Sequence, residues 1–118
     1  MSTLGEAHDS LFVSYYDNAD DSTVVKVAQG FSYHNGPEWV WLYGFYIKAK
    51  CNFTRGLQKN QLNALLQTHA RYLYSNDWGS VPELTNRNGE NNAFSCQSQC
   101  WSVSSMLLAI NSINEYRP

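Results

Sequence analysis

Asn35-Gly36-Pro37-Glu38-Trp39-Val40-Trp41-Leu42-Tyr43-Gly44-Phe45-Tyr46-Ile47-Lys48-Ala49-Lys50-Cys51-Asn52-Phe53-Thr54 is the stretch on which the reading of the fold turns. Asn35 or Gly36 can cap a helix, Pro37 suits a first helical position because its missing N–H would be unpaired there anyway, and Glu38 complements the positive end of the helix dipole. The stretch predicts a helix from about Pro37 to about Thr54, with Gly56 as its stop. Its apolar residues do not make one stripe: Trp39, Leu42, Tyr43, Tyr46 and Ile47 line one side, and Val40, Trp41, Gly44, Phe45 and Ala49 the other. A helix that is apolar all round is expected to be covered on both sides.

Downstream, Gln58 to Tyr74 has a different pattern. Leu62, Leu65, Leu66, His69 and Leu73 recur at helical spacing, while Lys59, Asn60, Asn63, Gln67 and Arg71 face away, which predicts a surface helix. A third helix is predicted to begin near Ser95 as its cap, carrying Trp101, Val103, Met106, Leu107, Ile110 and Ile113. Upstream, Met1 to about Asn35 is polar and aperiodic, rich in Asp, Ser and Asn, with a short helical turn near Val24 to Ala28 as its most regular feature. No strand pattern is evident. The expected class is all-α, with three main helices and an irregular N-terminal arm. The alternation of buried and surface helices suggests two concentric layers, which three helices cannot close alone.

Composition narrows the partners. The 118 residues make one domain or part of one, and a net charge of −2 with scattered Lys and Arg gives no basic face for nucleic acid or an anionic membrane. No apolar run approaches the ~20 residues of a membrane span, and the N-terminus lacks the charged and apolar regions of a signal peptide, so a cytoplasmic location is the expectation. In that compartment Cys51, Cys96 and Cys100 are expected as reduced thiols, the latter two on one helix face, and the Asn52-Phe53-Thr54 sequon is expected to be inert. His8, His34 and His69 show no ligand spacing with carboxylates or cysteines, so neither metal nor cofactor is implied. Aromatics crowd between Phe31 and Tyr46, which suits a neutral, amphipathic ligand.

Two places could carry chemistry. Around His34 to Trp41, His, Glu and Trp side chains converge on a predicted helix start, although tryptophans at this spacing are more commonly core and Glu38 can simply complement the dipole. The other is Glu83. Pro82 restrains the backbone on its N-terminal side, and Thr85, Asn86 and Gln99 could keep its carboxylate ionised, as a general base requires. On local spacing alone the plainer reading of Glu83 is a loop residue that satisfies backbone N–H groups.

Three runs change that balance. Ser32-Tyr33-His34-Asn35-Gly36-Pro37-Glu38-Trp39, Pro82-Glu83-Leu84-Thr85-Asn86 and Cys96-Gln97-Ser98-Gln99-Cys100-Trp101-Ser102, in this order and spacing, resemble the C-terminal end of the glycogen debranching enzyme family. The resemblance covers most of the chain and makes residues 1–118 a C-terminal fragment of the glucosidase domain. It implies the C-terminal portion of an (α/α)6 barrel, an incomplete toroid belonging to the amylo-α-1,6-glucosidase part of a bifunctional enzyme. The implied activity is hydrolysis of the α-1,6-linked glucose stub with inversion by an Asp acid and a Glu base. Glu83 matches the base. His34, Glu38, Trp39, Asn86, Gln99 and Trp101 fall on motif positions expected to line the glucose pocket.

The implied partners are glycogen or a branched α-glucan and the remainder of the debranching chain. Asn35 stands where the family motif has glutamine and Cys100 where it has alanine. The family's acid has no counterpart in these residues, so the isolated chain is expected to be inactive and marginally folded. The competing readings are a non-catalytic α-glucan-binding module, a truncated product without function, and a glucoamylase-like or trehalase-like hydrolase on the same barrel.

Overall fold

The computed structural model describes Ser10, residues 12–17 and residues 32–117. The suggested turn near Val24 to Ala28 and His8 lie outside them. In chain order the described part comprises strand β1 (Glu38–Trp39), helix α1 (Tyr43–Phe53), helix α2 (Lys59–Ser75), strand β2 (Leu84–Thr85) and helix α3 (Cys100–Glu115). The fold is mostly helical with one small sheet.

Helix α2 follows its sequence closely. Gln58 stands in extended conformation before the first turn, and its N–H donates to Gln61 Oε1 at 2.9 Å, half of a reciprocal capping box. Leu62 is fully buried, Leu66 packs beside it, and the polar face points outward. Ile47 of α1 and Ala109, Ile113 and Tyr116 from α3 and its end complete this core, so α1 and α3 form the centre of the packing and α2 joins it through Leu62 and Leu66. Burying an aliphatic side chain such as Ile47 or Leu62 contributes about 1.5–3 kcal/mol each.

The contact between α1 and α3 is close enough to need a glycine. A Cβ on Gly44 would stand 2.2 Å from the Ser105 carbonyl oxygen. Close approach also lets Ser105 Oγ accept from the Gly44 N–H at 2.7 Å and donate to the Trp41 carbonyl at 2.6 Å. The α1 N-terminus therefore has one of its unpaired donors satisfied by a side chain from another helix.

The first helix departs from expectation at its start. Glu38–Trp39 is extended and pairs antiparallel with β2, Glu38 opposite Thr85 and Trp39 opposite Leu84; a 3-10 turn, Val40–Leu42, then leads into α1 at Tyr43. The cap, proline and acidic signals were compatible with a helix, but the 82–86 run supplies backbone partners that no local signal can reveal. The absence of strands is likewise corrected by this pair. Helix α1 is also less covered than expected: Gly44 and Ile47 are buried, whereas Phe45 and Phe53 are 58% and 85% exposed.

Helix α3 starts at Cys100, with Gln99 Oε1 accepting from the Cys100 N–H at 3.2 Å, so the expected cap at Ser95 is displaced by more than a turn. Ser95 instead points its hydroxyl at β2, where it accepts from the Leu84 N–H at 3.2 Å. Cys96 consequently lies in the loop while Cys100 opens the helix, and the two do not share a helix face; all three cysteines are free thiols.

Candidate functional site

Two crossing segments hold the Glu83 backbone. Its N–H donates to the Cys96 carbonyl at 2.8 Å, and its carbonyl accepts from the Val40 N–H at 3.1 Å. Val81, Pro82 and Leu84 around it are buried, while the Glu83 side chain itself is half-buried. The carboxylate thus projects from a main chain anchored on both sides.

The loop beyond β2 is locked by an asparagine pair. Asn86 Oδ1 accepts from the Tyr16 N–H at 3.2 Å and from Asn92 Nδ2 at 3.0 Å, and Asn92 Nδ2 also donates to the Tyr16 carbonyl at 3.0 Å. Both asparagines are buried. Residues 12–17 are stitched to the site by the same means: the Val13 N–H donates to the Asn35 carbonyl at 2.8 Å, and the Arg87 N–H to the Ser14 carbonyl at 3.2 Å. Gly36, with φ of +149°, lies so close to Val13 that a Cβ would meet the Val13 carbonyl oxygen at 1.9 Å.

A continuous run of rings begins beside Glu83. Burial, and after it the neighbouring Glu83 carboxylate, push the Tyr33 hydroxyl well above the ordinary phenol range. Tyr33 packs on Tyr16 at 4.9 Å between centroids, on His34 at 4.8 Å and on Trp39 at 4.7 Å. His34 lies flat on Trp39, with centroids 5.3 Å apart and planes 5° from parallel, and Trp39 continues edge-on to Trp101 at 5.9 Å. Trp39 is buried and its indole N–H donates to the Tyr33 carbonyl at 3.1 Å, whereas Trp101 is nearly half exposed. Beyond Trp101, a cleft of about 720 Å³ is lined by Trp41, Phe45, Gln99, Trp101 and Ser104 among others. It offers flat apolar faces flanked by a carboxamide and hydroxyls.

Glu38 belongs to a different hollow. Its Oε2 accepts from the Gly89 N–H at 2.9 Å and from Thr85 Oγ1 at 3.3 Å. Glu38 lines a smaller space of about 230 Å³ together with Tyr43 and His69. There, burial pushes His69 below the usual imidazole range, with Glu38 opposing that shift, and burial pushes Tyr43 up to about 12.

Of the residues singled out from sequence, His34, Trp39 and Trp101 are brought into one aromatic run, and Gln99 joins Trp101 at the cleft. Asn86 is turned inward as a loop lock, and Glu38 faces the smaller hollow. Sequence reasoning quoted Tyr33 within a motif without giving it a role, and passed over Phe45 and Asn92 as site-building residues. Tyr33 lies 50 positions from Glu83, and no spacing rule connects them.

This arrangement, a backbone-anchored carboxylate beside a wall of aromatic and amide groups, coincides with a match to a known family. Residues 1–108 match the model for amylo-alpha-1,6-glucosidase. The chain belongs to that family. It is also 34% identical over 122 aligned positions to the glycogen debranching enzyme of Saccharomyces cerevisiae (strain ATCC 204508 / S288c), an alignment covering 91% of this chain and 8% of the yeast protein. The chain therefore spans about a twelfth of the length of that relative. The expected resemblance to the C-terminal region of debranching enzymes is thus established. Among the described residues there is no cluster of three metal-ligating side chains, and no helix is long and apolar enough to cross a membrane.

Proposed function

We propose that this chain supplies the general base and part of the glucose-binding wall of an inverting amylo-α-1,6-glucosidase, acting on the single α-1,6-linked glucose at a branch point of glycogen or a related α-glucan. The observation that carries this reading is Glu83: its main chain is fixed on both sides, and its side chain adjoins the Tyr33–His34–Trp39–Trp101 run. An inverting hydrolase needs a base that takes a proton from water as the water oxygen attacks the anomeric carbon. It also needs an acid that protonates the departing oxygen as the glycosidic bond breaks, with the two carboxyl groups about 6.5–9.5 Å apart. Glu83 takes the first role. The Asp acid comes from the remainder of a debranching polypeptide, with which this segment completes an (α/α)6 barrel, so the isolated chain turns over no substrate.

Trp101, Trp41 and Phe45 suit the apolar face of a pyranose, and Gln99 its hydroxyls. His34 and Trp39 back this wall. Asn86 and Glu38 act by holding the loop that carries Glu83. The partner is therefore neutral and carbohydrate, reached without a metal or organic cofactor.

The test is Glu83→Gln in the full polypeptide that carries these residues. The expected result is a fall in kcat for glucose release from a singly branched limit dextrin of at least 100-fold, general-base catalysis being worth about 10²–10⁴. Unchanged glucose release would sink the assignment.

A further inference from the structure

The Glu83 N–H donates to the Cys96 carbonyl at 2.8 Å, so the placing of Glu83 depends on the placing of Cys96. Cys96 lies in the stretch 91–99, which has neither helix nor strand to fix it. Its neighbour Gln97 supplies a constraint of another kind. Gln97 Nε2 donates to the Asn92 carbonyl at 2.6 Å and to the Ser95 carbonyl at 2.9 Å. Its Oε1 accepts at 3.1 Å from the hydroxyl of Tyr72 on α2, a hydroxyl that also meets Asn91 Oδ1. Both N–H donors and the carbonyl of the Gln97 carboxamide are thereby engaged. Asn92 is a fixed point, buried and bonded through its side chain to Tyr16 and Asn86. The Ser95 hydroxyl in turn accepts from the Leu84 N–H at 3.2 Å. A clasp thus runs from α2 through Gln97 to Ser95 Oγ and the Cys96 carbonyl, the two groups that hold the consecutive N–H groups of Leu84 and Glu83.

We propose that Gln97 is a positioning residue for Glu83, its carboxamide closing the 92–97 turn so that Ser95 and Cys96 hold the backbone from which the carboxylate projects. The inference rests on the reading of Glu83 as general base. With the clasp removed, the turn keeps one main-chain bond, from the Ser95 N–H to the Asn92 carbonyl at 3.2 Å. The Gln99 N–H, which donates to the Val81 carbonyl at 3.0 Å, would still join the two segments, but beyond Cys96 and outside the turn. A misplacement of about 1 Å at a reacting centre can cost about 100-fold in rate. The cleft beside Trp101 is lined by Gln99 and not by Gln97, so the sugar-facing wall does not include the clasp. Loss of the clasp therefore acts on the chemical step and leaves substrate binding in place.

The experiment compares five forms of the full polypeptide carrying these residues: unaltered, Gln97→Glu, Tyr72→Phe, Glu83→Gln, and Gln97→Glu combined with Glu83→Gln. Glutamate keeps the shape of the side chain but turns an acceptor-only carboxylate towards the Asn92 and Ser95 carbonyls, which opens the clasp. The expected result is that Gln97→Glu lowers kcat for glucose release by about 10–100-fold, with KM within about threefold of the unaltered value. Adding it to Glu83→Gln should change the residual rate by less than about threefold, because the group being positioned is already gone. Tyr72→Phe removes one of the three hydrogen bonds of the carboxamide and should lower kcat by about 2–10-fold, again with KM held.

The inference is overturned by an undiminished kcat in either single variant, by an effect confined to KM, or by an equal loss from Gln97→Glu in both Glu83 backgrounds. Circular dichroism shows whether Gln97→Glu folds. If it does not, Tyr72→Phe decides the matter: a lowered kcat with KM held supports the clasp, and an unaltered kcat overturns it. Full activity in Glu83→Gln would instead remove the base assignment, a result read with Gln97 intact and so distinguishable from failure of the clasp.

Discussion

Helix α2 and the segment 35–42 carried equally explicit helix signals, and only one became a helix. In α2 the apolar period, the capping box and the polar outer face agree with one another, so the element needs little from elsewhere beyond a core for Leu62 and Leu66. In residues 35–42 the signals concern the first turn alone: a cap, a proline and an acid. The competing conformation draws on remote partners, with Leu84 and Thr85 pairing with Trp39 and Glu38, Val13 donating to the Asn35 carbonyl, and Glu83 accepting from Val40. Signals worth a few tenths to about 1 kcal/mol each lose to a set of backbone hydrogen bonds reinforced by burial of Trp39 and Leu84. The lesson is functional as well, because the region that escaped local reading is the one that holds Glu83.

This contrast can be broken from either side. The largest effect is expected from Gly36→Ala, where the added methyl would overlap the Val13 carbonyl oxygen at a φ of +149°. Overpacking and backbone strain together set a cost of about 2–6 kcal/mol. Urea denaturation should show it, and hydrogen exchange should show loss of protection in residues 81–99 before α2; protection lost first from α2 would mean that the two regions are not organised as described. A smaller effect is expected from Gln61→Ala, which removes one half of the capping box of α2. By analogy with other helix caps the loss should be about 0.5–2 kcal/mol, and it should leave exchange around Glu83 unaltered.

The smallest effect concerns pH. His69 is held below its usual range in the folded state by burial, so the unfolded chain takes up the proton first as pH falls. Its contribution to stability is therefore complete above the unfolded value of about 6.5 and declines as pH drops below it towards the folded pKa. Melts between pH 7.5 and 5 should show a slope that His69→Gln flattens; identical slopes in both forms would show that His69 does not link protonation to folding.

How much was legible depended on where the determining partner lies. The end of α1 near Phe53 followed from the glycine stop at Gly56, and α2 with its buried Leu62 from periodicity, both of which are properties of neighbours along the chain. The start of α3 was misplaced because Ser95, an adequate cap by type, is recruited by the Leu84 N–H across the loop, leaving Gln99 to cap the helix. In the site, Glu83 was found as a restrained carboxylate and given its proposed role by motif, yet Asn86 was placed at the sugar and Glu38 beside it. A motif position records that a residue is required, without separating contact with substrate from support of a loop. Asn86 turns inward because Asn92 and Tyr16 offer it hydrogen bonds, and Glu38 is drawn to the Gly89 N–H.

The sequence by itself determined a mostly helical chain, the amphipathic α2, the aromatic endowment of residues 31–46 and membership of a debranching family, because periodicity, composition and linked motifs are written in order along the chain. Only the tertiary structure decided that 38–39 is a strand and that Asn86 and Asn92 lock onto Tyr16. Each of those outcomes is a hydrogen bond between groups far apart in sequence, and its free energy depends on which donors and acceptors folding has already brought within about 3 Å and withdrawn from water.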